Sequence, residues 1–110
     1  MSTHHSPSVL HTPGFAQYSV SWSPFYTSRL AVASAANYGL VGNGRLHLVG
    51  LSTVPAPGTT PTPGLNLEKY FTTQDGLYDV AWSETHENQL VSASGDGSIR
   101  LWDVTLNVRP

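Results

Sequence analysis

Five histidines, four aspartates and no cysteine bound the chemistry this 110-residue chain can attempt. His4, His5 and His11 fall in a polar leader, His47 in an apolar alternating run and His86 in the polar stretch SETHEN. None of these spacings makes a metal site, and without cysteine a thiolate zinc site and a disulfide framework are both ruled out. The adjacent pair His4-His5 reads as a solvated tail. No Gly-x-Ser-x-Gly elbow, Glu-paired His motif or phosphate-cradling glycine loop is present. GNG and GDGS read as hairpin turns, and nothing sets a nucleophile beside a base. The expectation is therefore no catalytic residue, no metal and no cofactor. What remains are carboxylates in tight connections, Asp75-Gly76 and Asp96-Gly97, whose chemistry is the receipt of a cationic group.

Composition bounds the class. Charged residues make up 11% of the chain, well below the roughly 25% usual for a domain. Gly, Pro, Ser and Thr are abundant, which suits strands and turns better than helices. A net charge of −2 gives no basic footprint for nucleic acid. No apolar stretch is long enough to span a bilayer as a helix, so direct membrane insertion is not expected. The start MSTHHSPSVLHTPG has neither a secretory core nor the arginines of a mitochondrial presequence, which points to an intracellular soluble chain.

The elements that must position the carboxylates repeat. YSVSWSPFYTSRLAVAS (18–34) lies over YDVAWSETHENQLVSAS (78–94) with seven of 17 positions identical. NGRLHLVG (43–50) then lies over DGSIRLWD (96–103); the offset falls from 60 to 53, leaving about seven extra residues in the first copy, within 35–42. Tyr18, Val20 and Trp22 alternate onto one face, as do Tyr78, Val80 and Trp82. Leu30–Ala35 and Gln89–Ser94 follow as second strands. Leu46/Leu48 and Ile99/Leu101 mark the third, and Glu68–Thr72 a short fourth in the first copy only. Seven strands and no helix are predicted. STVPAPGTTPTPG (52–64) holds four prolines and reads as an unpaired surface loop, with a proline-rich docking motif as the sharper alternative.

A strand, Ser-x-Ser, Asp-Gly, an alternating strand and Trp-Asp resemble the WD-repeat pattern, whose blades form β-propellers of typically 4–8 four-stranded sheets. The resemblance implies a buried network of Ser92, Asp96 and Trp102. A His would complete it, but Thr73 or Gln74 stands at that place, so the network is expected to be incomplete. The first copy departs further, with Asn43 for the turn Asp and Val49-Gly50 for Trp-Asp. NYGLVGNG, TTQDGLYD, SPF, RLAVA and SGDG narrow the resemblance to the WD-repeat peroxins, the receptors for the type 2 peroxisomal targeting signal; it covers residues 11–104 apart from the proline-rich loop.

The expected fold is all-β: the first two antiparallel blades of a WD-repeat β-propeller, in an incomplete ring. Residues 1–14 are a disordered leader, 15–72 blade 1 with its loop at 52–64, and 73–110 blade 2 without its outer strand. A ring of seven blades needs roughly 300 residues. The chain therefore reads as an N-terminal fragment that, expressed alone, would aggregate or stay partly unfolded.

In an up-and-down blade, loops after the second and fourth strands leave from one end. That rim gathers 35–42, 73–76 and 95–97, and with them Asn37, Tyr38, Gln74, Asp75 and Asp96. The resemblance implies cargo whose type 2 signal is a short amphipathic helix with a basic residue near its start. Asp75 is the residue expected to receive that charge, with Gln74, Tyr38 and Asn37 beside it; alternatively Asp75 only organises its own turn. Tyr38 is either an aromatic contact or a plug. Asp79, inside a strand, is expected to bond to backbone or neighbouring polar groups, and Asp96 to be structural. The family further implies a cytosolic protein shuttling to the peroxisome, with cargo proteins, an import co-receptor and docking proteins as partners and no cofactor. A generic WD-repeat scaffold for another complex is the alternative.

Overall fold

A computed structural model of the chain describes residues 8–36, 43–54 and 62–106. Among them are seven strands and no helix: β1 (Ala16–Trp22), β2 (Arg29–Ala35), β3 (Gly44–Val54), β4 (Thr62–Thr73), β5 (Leu77–Trp82), β6 (Gln89–Ser94) and β7 (Ile99–Asp103). They form two antiparallel sheets in sequence order, β1-β2-β3-β4 and β5-β6-β7. These are the two blades, not closed into a ring, as a partial WD propeller requires.

Between the β1–β2 and β5–β6 strand pairs the chain turns in the same way in both copies. The Ser23 hydroxyl accepts from the amides of Phe25 and Tyr26, and the Ser83 hydroxyl from those of Thr85 and His86. The repeated Trp-Ser dipeptide thus ends each inner strand and caps the turn after it.

The core lies between the sheets. Ala31, Ala33, Leu46, Leu48 and Phe71 of blade 1 meet Leu77, Val80, Trp82, Leu90 and Trp102 of blade 2 in one buried cluster. Trp82 carries its indole N–H across the boundary to the Ser21 carbonyl at 2.9 Å. The Ser19 hydroxyl donates to the Asp79 carboxylate at 2.7 Å, and the Lys69 ammonium to the Val104 carbonyl at 2.9 Å. The Phe71 and Trp102 rings pack at 5.3 Å. On the far rim the Tyr26 hydroxyl hydrogen-bonds to Glu87, which raises the phenol's pKa. Apolar burial supplies the energy here, and the polar pairs set the register of sheet on sheet.

Three local expectations are corrected. The proline-rich stretch pairs at both ends: β3 runs to Val54 and β4 begins at Thr62, with Ser52 opposite Gly64 and Thr53 opposite Pro63. Pro63 stands in β4, the edge strand of its sheet among the described residues, where proline is tolerated. Residues 55–61 lie outside the described residues, as do 1–7. The leader is not structureless throughout: Leu10 packs on Leu30, Val32 and Val49, and Gly14 makes a turn at φ 84°. The alternation in β1 and β5 is also broken, because the register slips at Gln17/Ser19 and at Leu77/Asp79. Each slip makes a β-bulge whose extra residue is a tyrosine, Tyr18 or Tyr78.

His47 belongs to blade 1 alone. It is 1% exposed, and burial, aided by the neighbouring Arg45 charge, lowers its pKa to about 4. Ser34 Oγ donates to the Arg45 carbonyl at 2.8 Å and lies 3.4 Å from His47 Nδ1. The Arg45 guanidinium is held between the Phe15 and Tyr70 rings, at 4.3 and 4.0 Å from their centroids. An unfolded His takes a proton near pH 6.5, whereas the folded one resists until about 4. In that window the unfolded chain holds more protons, so stability is full above 6.5 and falls as the pH drops through it. Thermal melts of the wild type should show Tm declining from pH 6.5 towards 4, and His47→Leu should flatten that decline. An equal slope in both would remove His47 as its source.

Candidate binding rim

The described parts of the segments expected at one end of the blades meet there. The Gly95 amide donates to the Gly76 carbonyl at 2.8 Å, which ties the β6–β7 turn to the β4–β5 connection. The Ala36 amide donates to the Asn43 carbonyl at 2.8 Å, closing the base of the β2–β3 insert. Gly76 is buried in the angle between them: a Cβ there would stand 2.7 Å from the Ala35 Cβ. The connection 73–76 therefore lies down on blade 1, and only a residue without a side chain fits at that crossing.

The four aspartates divide by partner. Asp79 accepts from the Ser19 hydroxyl and the Val80 amide, which lower its pKa in that order. Asp96 accepts from the hydroxyl and amide of Ser98 and lies 3.7 Å from Arg100; its pKa too is lowered, chiefly by Ser98. Asp103 accepts from the amide and hydroxyl of Thr105 and so caps the exit from β7, again with a lowered pKa. Asp75 differs. Its turn is closed by the Thr73 hydroxyl, which donates to the Asp75 backbone carbonyl at 2.7 Å. Among the described residues no donor is bonded to its carboxylate, which is half-buried at the rim.

Of the expected site residues, Gln74 is exposed next to Asp75, while Asn37 and Tyr38 lie outside the described residues. Of the expected network, Ser92 and Trp102 are joined: the indole N–H donates to the Ser92 hydroxyl at 2.9 Å, and both residues are buried. Asp96 bonds within its own turn instead. Thr73, which stands near the place of the missing His, spends its hydroxyl on Asp75. Arg100 also brings a cation to a rim whose own loops contain none.

The two bulged tyrosines depart from the sequence pattern. The sequence pattern places Tyr18 and Tyr78 on an alternating face, yet their rings meet each other across the blade boundary, edge to face at 5.0 Å. They stay 42% and 38% exposed. The hydroxyl of Tyr78 reaches back over Gly76, 3.2 Å from where a Cβ would stand. The signal available in the sequence was the same tyrosine at the head of each inner strand. Among the described residues, no group of His, Asp or Glu is placed to hold a metal ion.

No protein-family model matches the chain. Curated relatives do. It is 49% identical over 92 residues (84% of this chain, 27% of the relative) to the Arabidopsis thaliana protein named peroxisome biogenesis protein 7. It is 48% identical over 99 residues (90% and 24%) to the peroxisomal targeting signal 2 receptor of Komagataella phaffii. The chain is homologous to the WD-repeat peroxins. The human receptor is 39% identical over 102 residues, 93% of this chain and 29% of that protein. The chain thus spans about a quarter of the length of the curated WD-repeat peroxins it matches. The Komagataella phaffii and human relatives are named as receptors.

Gly76→Ala in this chain should lift the 73–76 connection off blade 1 and cost about 1–3 kcal/mol. Gly14→Ala meets no neighbour and serves as the comparison, carrying only the cost of its positive φ. Chemical denaturation of both variants measures this; equal losses would contradict the packing at Gly76.

Proposed function

We propose that these two blades form part of an import receptor that binds the type 2 peroxisomal targeting signal of cargo proteins, and that the rim bearing Asp75 takes part in holding the signal. The observation that carries the site is the Asp75 carboxylate. Three of the four aspartates spend their charge on neighbouring hydroxyls and amides, and Asp75 alone, among the described residues, does not. A half-buried carboxylate with free lone pairs beside an exposed aromatic pair suits a peptide with one basic and one apolar side. In this reading Asp75 receives the Arg or Lys, Gln74 bonds to peptide polar groups, and Asn37 and Tyr38 contribute from the β2–β3 insert. Ser92, Trp102 and Asp96 keep the blade and its turn in shape without touching the peptide.

The relatives' receptor names favour this over a generic WD-repeat scaffold. The same reading makes an import co-receptor and docking proteins further partners, with the protein shuttling between cytosol and peroxisome.

The test uses an intact receptor containing this segment. Asp75→Arg should weaken capture of a type 2 signal peptide by about tenfold or more, one charge-assisted contact being worth at least ~1.4 kcal/mol. A peptide lacking its basic residue should bind wild type and variant alike. Unchanged binding of the basic peptide would take Asp75 out of the site; equal capture of both peptides by wild type would favour the scaffold.

A further inference from the structure

Aspartates at turns in this chain close the turn with their own carboxylates. Asp96 accepts from the amide of Ser98 and Asp103 from that of Thr105, each two residues on and each at 2.9 Å. Each also accepts from the hydroxyl of that same residue. These are Asx turns, in which the side chain stands in for backbone and its charge is taken up locally. Asp75 precedes a glycine, as Asp96 does, and by the same rule its carboxylate would accept from the amide of Leu77.

It does not, and the reason is a close crossing of backbones. Gly44, at the start of β3, pairs with Thr73, at the end of β4. A Cβ on Gly44 would collide with the Asp75 carbonyl oxygen and stand 2.6 Å from Thr73 Oγ1 and 2.8 Å from the Leu77 nitrogen. The turn is therefore pressed onto the end of β3, where the Ala36 amide on the Asn43 carbonyl also closes the base of the insert. In that position the Thr73 hydroxyl closes the turn, donating to the Asp75 carbonyl at 2.7 Å. Thr73 is buried, so the bond is made away from bulk water, where its loss would leave the carbonyl unsatisfied.

We propose that Thr73 is the positioning residue of the rim: by closing the 73–76 turn itself, it leaves the Asp75 carboxylate open to a cationic ligand. The inference rests on Asp75 being the group that receives the signal's basic residue. Thr73 touches no ligand and acts through the Asp75 backbone, which it fixes against β3 with the side chain half-buried at the rim. A carboxylate held this way need not be released from another donor before it binds. Without the hydroxyl the turn relaxes, and the carboxylate is drawn into the arrangement of Asp96 and Asp103, where a backbone amide competes with the ligand for it.

The test measures capture of two type 2 signal peptides, one with its basic residue and one without, by an intact receptor containing this segment. Thr73→Val keeps the buried shape and removes the hydroxyl, whereas Thr73→Ser keeps the hydroxyl and loses the methyl. Asp75→Asn should weaken capture of the basic peptide by about tenfold, and Thr73→Val by about fivefold or more, the size of one charge-assisted contact. Neither should change binding of the peptide without the basic residue. Thr73→Ser should capture both peptides like wild type, and Thr73→Ala, which adds no methyl in place of the hydroxyl, should repeat the Val result. In an Asp75→Asn background Thr73→Val should have no further effect. Weakened binding of both peptides, a greater loss in Ser than in Val, or additive losses in the double variant would make Thr73 a packing residue and overturn the proposal. So would wild-type capture by Thr73→Val where Asp75→Asn is impaired, a result that leaves Asp75 in the site. Wild-type capture of the basic peptide by Asp75→Asn would instead remove Asp75 itself, and the role of Thr73 with it.

Discussion

The packing of one blade on the next, centred on Trp82, is the constraint from which the rest of the structure follows. A three-stranded sheet such as β5-β6-β7 is apolar on both faces and cannot be stable with both in water. Trp82 resolves one face, placing its rings against the small and aliphatic side chains of β2 and β3 while its N–H satisfies the Ser21 carbonyl. Truncation of such a buried Trp typically costs 3–5 kcal/mol, several times the value of the polar pairs around it. Ser19–Asp79 and Lys69–Val104 therefore set orientation rather than supply the cohesion.

The rim is a consequence of that packing. Because blade 2 rests on blade 1, the connection 73–76 must cross from the outer edge of one sheet to the inner edge of the other, and glycine at 76 lets it do so. The crossing leaves the Asp75 side chain half-exposed at the rim, with Thr73 rather than a carboxylate closing the turn. The bulges then bring Tyr18 and Tyr78 together at the same boundary. Carboxylate and aromatic pair thus share the seam between blades, so a ligand held there would sense how the blades are docked.

Much of this was legible because the chain states it twice. Paired Tyr-x-Val-x-Trp-Ser strings, the Asn-Gly and Asp-Gly turns and the Trp-Asp ending fix strands, strand order and the shared rim without reference to any partner. What could not be read depends on contacts distant in sequence. A bulge at Tyr18 adds one residue on one strand and leaves the local pattern unchanged. The pairing of Thr53 with Pro63 overrides local composition because β4 lies at a sheet edge, where proline is tolerated. Leu10 looks like part of a solvated tail until Val49 is placed beneath it. The Asp96 carboxylate sits in the expected turn, yet Ser98, two residues away, claims it before Trp102 can.

Hydrogen exchange at the Trp82 indole nitrogen, followed by NMR, tests the blade-on-blade account most directly, because that proton bridges the two sheets. It should exchange as slowly as the amides of β2 and β6, since release requires the blades to part. Exchange at the rate of a free indole, with the strand amides still protected, would show two sheets that fold without docking and would contradict the account.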